Sequence, residues 1–288
     1  MATAVVAYKD LGPANAHKVA DILRHHEDYD LWMKEKPAGM DEDEYLFMKA
    51  STWPDDIRPK DAPLGDNQYS HPTWHYIDTP YVVDNQPLPK PDSDEHIIQA
   101  EADNIAIVEH STDQAERARA LCWIFHLVGD VHMPLHATSM YSPTFPNGDA
   151  GGNREYIMLS SGKTTGLHNF WDGLWDADTA GNGTDADGYE RTDLTKVVPI
   201  GDRVFTTYPR AHLPQLVSAP AFDDWVKESY NVCVNVVYLN GALPISTQRD
   251  AGAPLPAGYE AMAKTVGESR LALGGYRLAD TLRSALGM

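Results

Sequence analysis

Between His126 and Asp172 the chain carries two His/Asp pairs at i,i+4 spacing, His126-x-x-x-Asp130 and His168-x-x-x-Asp172, with His136 between them. On a helix that spacing puts both side chains of a pair on one face. A neutral imidazole and a carboxylate pointing the same way make half of a zinc site. Two such halves predict helices that meet at a multi-metal cluster, and clusters of that kind mostly serve hydrolysis. The first pair follows Trp123, Ile124 and Phe125 on a strongly apolar segment. A lone His there would more often be a hydrogen-bonded core residue. The Asp one turn later argues for a ligand, because a buried carboxylate is costly unless paired or metal-bound. A His/Asp hydrogen-bonded pair is the competing account of each half. The two halves together with His136 favour a metal.

No Ser/Gly-rich linker, low-complexity block or internal repeat divides the 288 residues, so residues 1–288 read as a single domain. The hydrophobic fraction of 42% is ordinary for a globular protein. The longest apolar runs fall short of a membrane span. The formal charge of −19 reads as an acidic solvated surface and argues against a basic footprint for duplex DNA. It leaves room for a nucleotide substrate held by divalent cations, which would reverse the local field. Cys122 and Cys233 form no CxxC motif and read as buried apolar residues. The first residues, MATAVVAYKDLG, lack the basic start and long apolar core of an export signal.

Periodicity predicts a mainly α-helical chain with a minor β-hairpin. Ala2–Tyr8 and Ala14–His25 read as helices broken at Gly12-Pro13, and Asp41–Ser51 as a helix that stops at Trp53-Pro54. Arg58–Pro72 reads as a loop, Trp74–Val83 as extended, and Pro87–Asp94 as a loop. Glu95–Glu109 and Gln114–Gly129 are helical, the latter with the apolar stripe Leu121, Ile124, Phe125 and Val128. Ala137–Asn153 reads as a loop and Arg154–Leu159 as a short strand. Gly166–Asp176 is helical, and Ala177–Gly188 reads as a solvated Asp/Gly loop rather than a calcium loop. Ala221–Leu239 and Gly258–Leu286 close the chain as long helices. His25-His26 read as surface polarity.

A third element supplies further chemistry. Asp55 in Trp53-Pro54-Asp55-Asp56-Ile57-Arg58 and His75 in Trp74-His75-Tyr76-Ile77-Asp78 are candidate ligands, and Arg58 is a candidate anion clamp. A helix-end residue and a surface ion pair are the plainer readings of Asp55 and Arg58. The motifs of HExxH metalloproteases, GxSxG hydrolases and phosphate-binding Gly loops do not occur.

In order and spacing these pieces resemble the S-one/P-one nuclease family, zinc-dependent single-strand nucleases of plants and fungi with bacterial relatives. The resemblance rests on Trp53-x-Asp55-x-x-Arg58, His75-Tyr76-Ile77-Asp78, and His126-x-x-x-Asp130-x-x-x-Pro134-Leu135-His136. It continues in Gly151-Gly152-Asn153, Leu167-His168-x-x-Trp171-Asp172 and the closing segment Leu271–Leu282. It implies a helical fold of the phospholipase C/P-one nuclease type around three zinc ions. Asp55, His75, His126 and Asp130 would hold the first zinc; His136, His168 and Asp172 the second; Asp130 would bridge to a third. The family's N-terminal Trp and Gly-His, which complete the third site, have no counterpart in the chain as written. Arg58, Asp55 and Asp130 would carry catalysis, while Tyr76, Asp78 and Asn153 would bind substrate.

The implied activity is hydrolysis of single-stranded RNA or DNA by a metal-bridging hydroxide, extended to nucleoside 3′-monophosphates. The acidic surface predicts a monomer without a stable protein or membrane partner. The family is exported, which implies a periplasmic or secreted protein. A zinc phospholipase C and a non-catalytic metal-binding protein with an incomplete third site are the alternatives. Asp78 beside Tyr76 favours a base over a lipid headgroup.

Overall fold

The computed structural model describes residues 1–58, 68–90, 95–184 and 190–288. Helices are α1 (Ala2–Leu11), α2 (Pro13–Leu23), α3 (Tyr29–Glu35), α4 (Glu42–Asp56), α5 (Ile97–His110) and α6 (Gln114–Asp130). They continue with α7 (Leu167–Asp172), α8 (Asp176–Thr179), α9 (Leu194–Thr207), α10 (Gln215–Ser218), α11 (Phe222–Val232) and α12 (Tyr259–Ala285). Seven short strands accompany them: β1 (Pro80–Val82), β2 (Ser139–Tyr141), β3 (Tyr156–Met158), β4 (Thr164–Gly166), β5 (Ala180–Thr184), β6 (Glu190–Thr192) and β7 (Ala253–Pro254). The mainly α expectation holds. Among the described residues no helix is long and apolar enough to cross a membrane.

The first two turns of α1 are apolar on nearly every side, and a segment of that kind belongs inside a bundle. Ala4, Val5, Val6 and Ala7 are fully buried, and α1 packs against α12, α9 and α4. Its close approach to α12 depends on a glycine. A Cβ on Gly275 would lie 2.4 Å from the Cβ of Val6. The main core continues through Phe47 of α4 and Phe125 of α6, whose rings meet edge to face at 4.9 Å. Helix α6 starts with Asp113 accepting from the Ala115 and Glu116 N–H groups. A second core lies under the strands and includes Ile157, Leu167, Trp171, Val237 and Tyr259.

Several expectations need correction. The single hairpin becomes three small sheets: β1–β2 parallel, β4-β3-β7 mixed, and β5–β6 antiparallel. In the Trp74–Val83 segment only Pro80–Val82 is a strand, because its partner is the distant Ser139–Tyr141 rather than a hairpin mate. Helix α4 runs through Pro54 to Asp56. The proline falls in the last turn, and its missing N–H removes a single helical bond there. Ala221–Leu239 is not one helix; α11 ends at Val232 and a π-turn spans Cys233–Val237. Ala177–Thr184, read as loop, contributes to α8 and β5. Helix α9, with Pro199 inside it, was not anticipated by periodicity. Residues 59–67 of the Arg58–Pro72 loop, 91–94 of the Pro87–Asp94 loop and 185–188 lie outside the described residues. His26 is buried, stacked on Trp32 at 4.5 Å and edge-on to Trp53 at 4.7 Å, so it is not surface polarity.

Candidate metal centre

Four chain segments converge on one point. The last turns of α4 and α6 bring Asp55, His126 and Asp130 together. After α6 the chain turns through Pro134–Ala137, a short 3-10 helix that carries His136. The parallel β1–β2 pairing then lays the segment before β1 alongside this turn. The Ile77 N–H donates to the His136 carbonyl at 2.8 Å, which brings His75, Tyr76 and Asp78 to the same side. The β3–β4 hairpin delivers α7 with His168 and Asp172; the Leu167 N–H closes it on the Glu155 carbonyl at 2.8 Å.

Two groups of possible ligand atoms result: Asp55 with His75 and His126, and His136 with His168 and Asp172. Asp130 stands between them. Its Oδ2 is 3.0 Å from His126 Nε2 and 3.1 Å from His75 Nδ1, while its Oδ1 is 3.4 Å from His136 Nδ1. Asp55 Oδ1 is 3.7 Å from His126 Nε2 and 3.8 Å from His75 Nδ1. His136 Nε2 and His168 Nε2 are 3.3 Å apart.

Backbone carbonyls fix two of the imidazole tautomers. His126 Nδ1 donates to the Ser51 carbonyl at 2.8 Å, so its Nε2 lone pair faces the cluster. His168 Nδ1 donates to the Gly151 carbonyl at 2.8 Å, with the same consequence for its Nε2. His75 Nδ1 and His126 Nε2 lie 2.7 Å apart against one carboxylate oxygen. His136 Nδ1 is buried and makes no hydrogen bond. Lone pairs crowded this closely, with too few protons to pair them, fit a cation. The mixed N/O donor set is the one zinc takes.

The electrostatics point the same way. Burial works against charge on Asp130, yet His126 and His136 hold its carboxyl well below the ordinary range. Burial pulls His126 down, but Asp130 and Asp55 outweigh it and bring the imidazole to about 9. His136 is likewise raised against burial by Asp130. Burial lowers His75 and His168. The carboxylates thus hold positive charge in the cluster, a place that divalent ions can take over.

A cavity of about 370 Å³ opens on one side of the cluster, lined by Arg58, His75, Tyr76, Asp78, His136 and Asn153 among others. A second of about 230 Å³ lies on the other side, where Asp55, Asp130 and Asp172 meet Met1 and Thr3 of the α1 segment. Arg58 Nε is 3.2 Å from both Asp55 Oδ1 and His75 Nε2. Asn153 donates to the Ala150 carbonyl at 2.9 Å. Every residue singled out from the sequence therefore borders one contiguous site. The Ser51 and Gly151 carbonyls were not foreseen, since backbone groups leave no mark in a sequence beyond the glycines that allow close approach. His132, the remaining histidine of this stretch, is buried under the site and held between the Val128 carbonyl (2.7 Å) and Arg277 (2.9 Å).

The chain resembles known proteins over its whole length. Residues 1–287 match the family model described as S1/P1 Nuclease. Nuclease S1 of Aspergillus oryzae is 31% identical over 150 residues, 50% of this chain and 46% of that protein, so this match spans less than half of the relative. Endonuclease 4 of Arabidopsis thaliana is 25% identical, with 92% of this chain and 84% of the relative covered. Endonuclease 5 of the same plant is 24% identical over 80% and 75%. A family match that takes in all but the last residue, on a mainly α fold, shows that the chain belongs to the S1/P1 nuclease family.

Proposed function

We propose that this protein is a zinc-dependent nuclease that hydrolyses phosphodiester bonds in single-stranded RNA or DNA, with nucleoside 3′-monophosphates as smaller substrates of the same site. The supporting observation is the position of Asp130 between two His/Asp groups whose histidines His75, His136 and His168 line a cavity together with Arg58, Tyr76, Asp78 and Asn153. Asp55, His75, His126 and Asp130 would hold one zinc, and His136, His168 and Asp172 another. Asp130 and the α1 end of the second cavity are where a third would sit. Bound there, zinc supplies Lewis acidity and a water acidified to a pKa of about 7.

The chain's own residues do the rest. Arg58 stabilises the charge that builds on the phosphoryl oxygens. Its Nε–H also reaches His75 Nε2 at 3.2 Å, which keeps the guanidinium beside the residues that would hold the first zinc. Tyr76 is among the exposed large hydrophobic residues, at 36%, and offers its face to an unpaired base. Asp78 would accept from base N–H groups, and Asn153, which lines the same cavity, would meet a phosphate oxygen. Stacking of this kind selects single strands without a basic groove, in keeping with the charge of −19. Export from the cytoplasm belongs to the same reading.

The test compares zinc-loaded protein on single-stranded and duplex substrates, before and after chelation. Cleavage of single strands that chelation abolishes and zinc restores is the expected result. Protein of proven zinc content that leaves single-stranded RNA and DNA intact sinks the reading.

A further inference from the structure

Asp149 and Glu155 flank the turn that supports His168, and both are fully buried, at 0% exposure. Asp149 Oδ1 accepts from the Met140 N–H at 2.7 Å and from Ser139 Oγ at 3.2 Å. Its Oδ2 accepts from the Gly152 N–H at 3.0 Å and from the Tyr238 hydroxyl. Each oxygen therefore faces a backbone N–H, and a backbone N–H can only donate. That makes Asp149 a carboxylate. Glu155 is the opposite case. Neither of its oxygens has a donor, and the charged group that acts on it is the Asp149 carboxylate. A buried carboxylate without a donor costs several kcal/mol or more, and two facing carboxyl groups bond only if one carries a proton. The backbone donors decide which one does.

We infer that Glu155 is held as the neutral acid, donates its proton to Asp149, and through this acid–carboxylate pair positions the turn that orients His168. The turn acts on His168 at two points. Its Gly151 carbonyl takes the His168 ring N–H at 2.8 Å, and its Gly152 carbonyl takes the His168 backbone N–H at 3.4 Å. There is little slack in it. Gly151 has φ +59°, and a Cβ there would lie 2.6 Å from the Leu135 carbonyl oxygen, next to His136. The titratable groups that interact electrostatically with Glu155 are Asp149 of the turn, Cys233 and Tyr238 beyond α11, and Tyr259 of α12. Burial pushes the thiol and both hydroxyls up, so no cation among them compensates a charge on Glu155. Burial and Asp149 push Glu155 itself up to about 9.

The test uses the full chain with Glu155→Gln and Asp149→Asn, each measured for melting temperature without metal and for zinc content after loading. A glutamine at 155 donates N–H to Asp149 as the acid does, so it should keep both the melting temperature and the zinc of the wild type. An asparagine at 149 must turn its NH2 towards a backbone N–H. It should melt several degrees lower and lose zinc from the His168 group. The pH profile separates this from a merely structural role. The folded acid outlasts its unfolded form, whose ordinary value is 4.5, so the folded state binds the extra proton up to about 9. Wild-type stability should therefore fall relative to Glu155→Gln as pH rises through that window, and stop falling above it. Equal damage from both variants, or a gap between wild type and Glu155→Gln that ignores pH, overturns the proposal. The zinc arm alone rests on the proposed function. A wild type that binds no zinc would defeat that function, while the metal-free melting temperatures still decide the carboxyl pair.

Discussion

Arg58 stands beside the ligand cluster, its Nε 3.2 Å from both Asp55 Oδ1 and His75 Nε2. Arg58→Ala should lower kcat about 100-fold or more, the size typical of losing one preorganised donor to a transition state. Zinc content should not change, because Arg58 offers no ligand atom. Steady-state kinetics with metal analysis checks both; a loss of zinc together with activity would make Arg58 a support of the ligands instead. The His/Asp ligands were legible because a metal site needs a few residue types at helical spacing. Their supports were not, since the Ser51 and Gly151 carbonyls belong to the backbone. Glu155 could have been noticed only as a charge just before the apolar-leaning run that became β3.

At the scale of elements, α1 and α12 meet where Gly275 admits Val6. Alanine is the better helix former by about 1 kcal/mol, but its methyl would overlap Val6 at 2.4 Å. Overpacking of this kind costs about 1–3 kcal/mol. Gly275→Ala should therefore lower the melting temperature by several degrees, and Gly275→Val by more; an unchanged or higher value would mean that the helices can separate without loss. The connection after α2 offers a pH-dependent counterpart. His26 accepts from the Asp28 N–H at 3.0 Å through Nδ1, while its Nε2 is buried without a partner. Burial lowers its pKa from 6.5 to about 4. The unfolded chain thus takes up a proton first as pH falls. The stability His26 contributes is complete above 6.5 and is lost progressively down to about 4. The loss amounts to roughly 3 kcal/mol at most. His26→Phe keeps the stacking on Trp32 and removes the titration, so its melting temperature should depend less on pH across that window. A slope equal to the wild type's would assign the acid sensitivity to other groups. The error over His26 has a physical origin. It stands in the polar run His25-His26-Glu27-Asp28, and nothing local announces that Trp32 and Trp53 close over it.

For the whole molecule, helix content could be read from periodicity, and the meeting of the two His/Asp pairs with His136 from the few ways of holding a cation; the remaining motifs joined them only through the family resemblance. The three small sheets could not. Their strands are two to five residues long, and β1 pairs with β2 across a distant stretch of chain. Yet these sheets aim the site: β1–β2 aligns His75 with His136, and β3–β4 delivers His168 and Asp172. The central claim is that this convergence is a zinc centre. Elemental analysis of zinc bound per chain, on wild type and Asp130→Ala side by side, tests it most directly. Two or more zinc ions per wild-type chain, reduced in Asp130→Ala because the residue faces both ligand groups, is the predicted result. Wild-type protein that binds no zinc after loading would contradict it and leave His126 and Asp130 as a paired imidazole and carboxylate under the core.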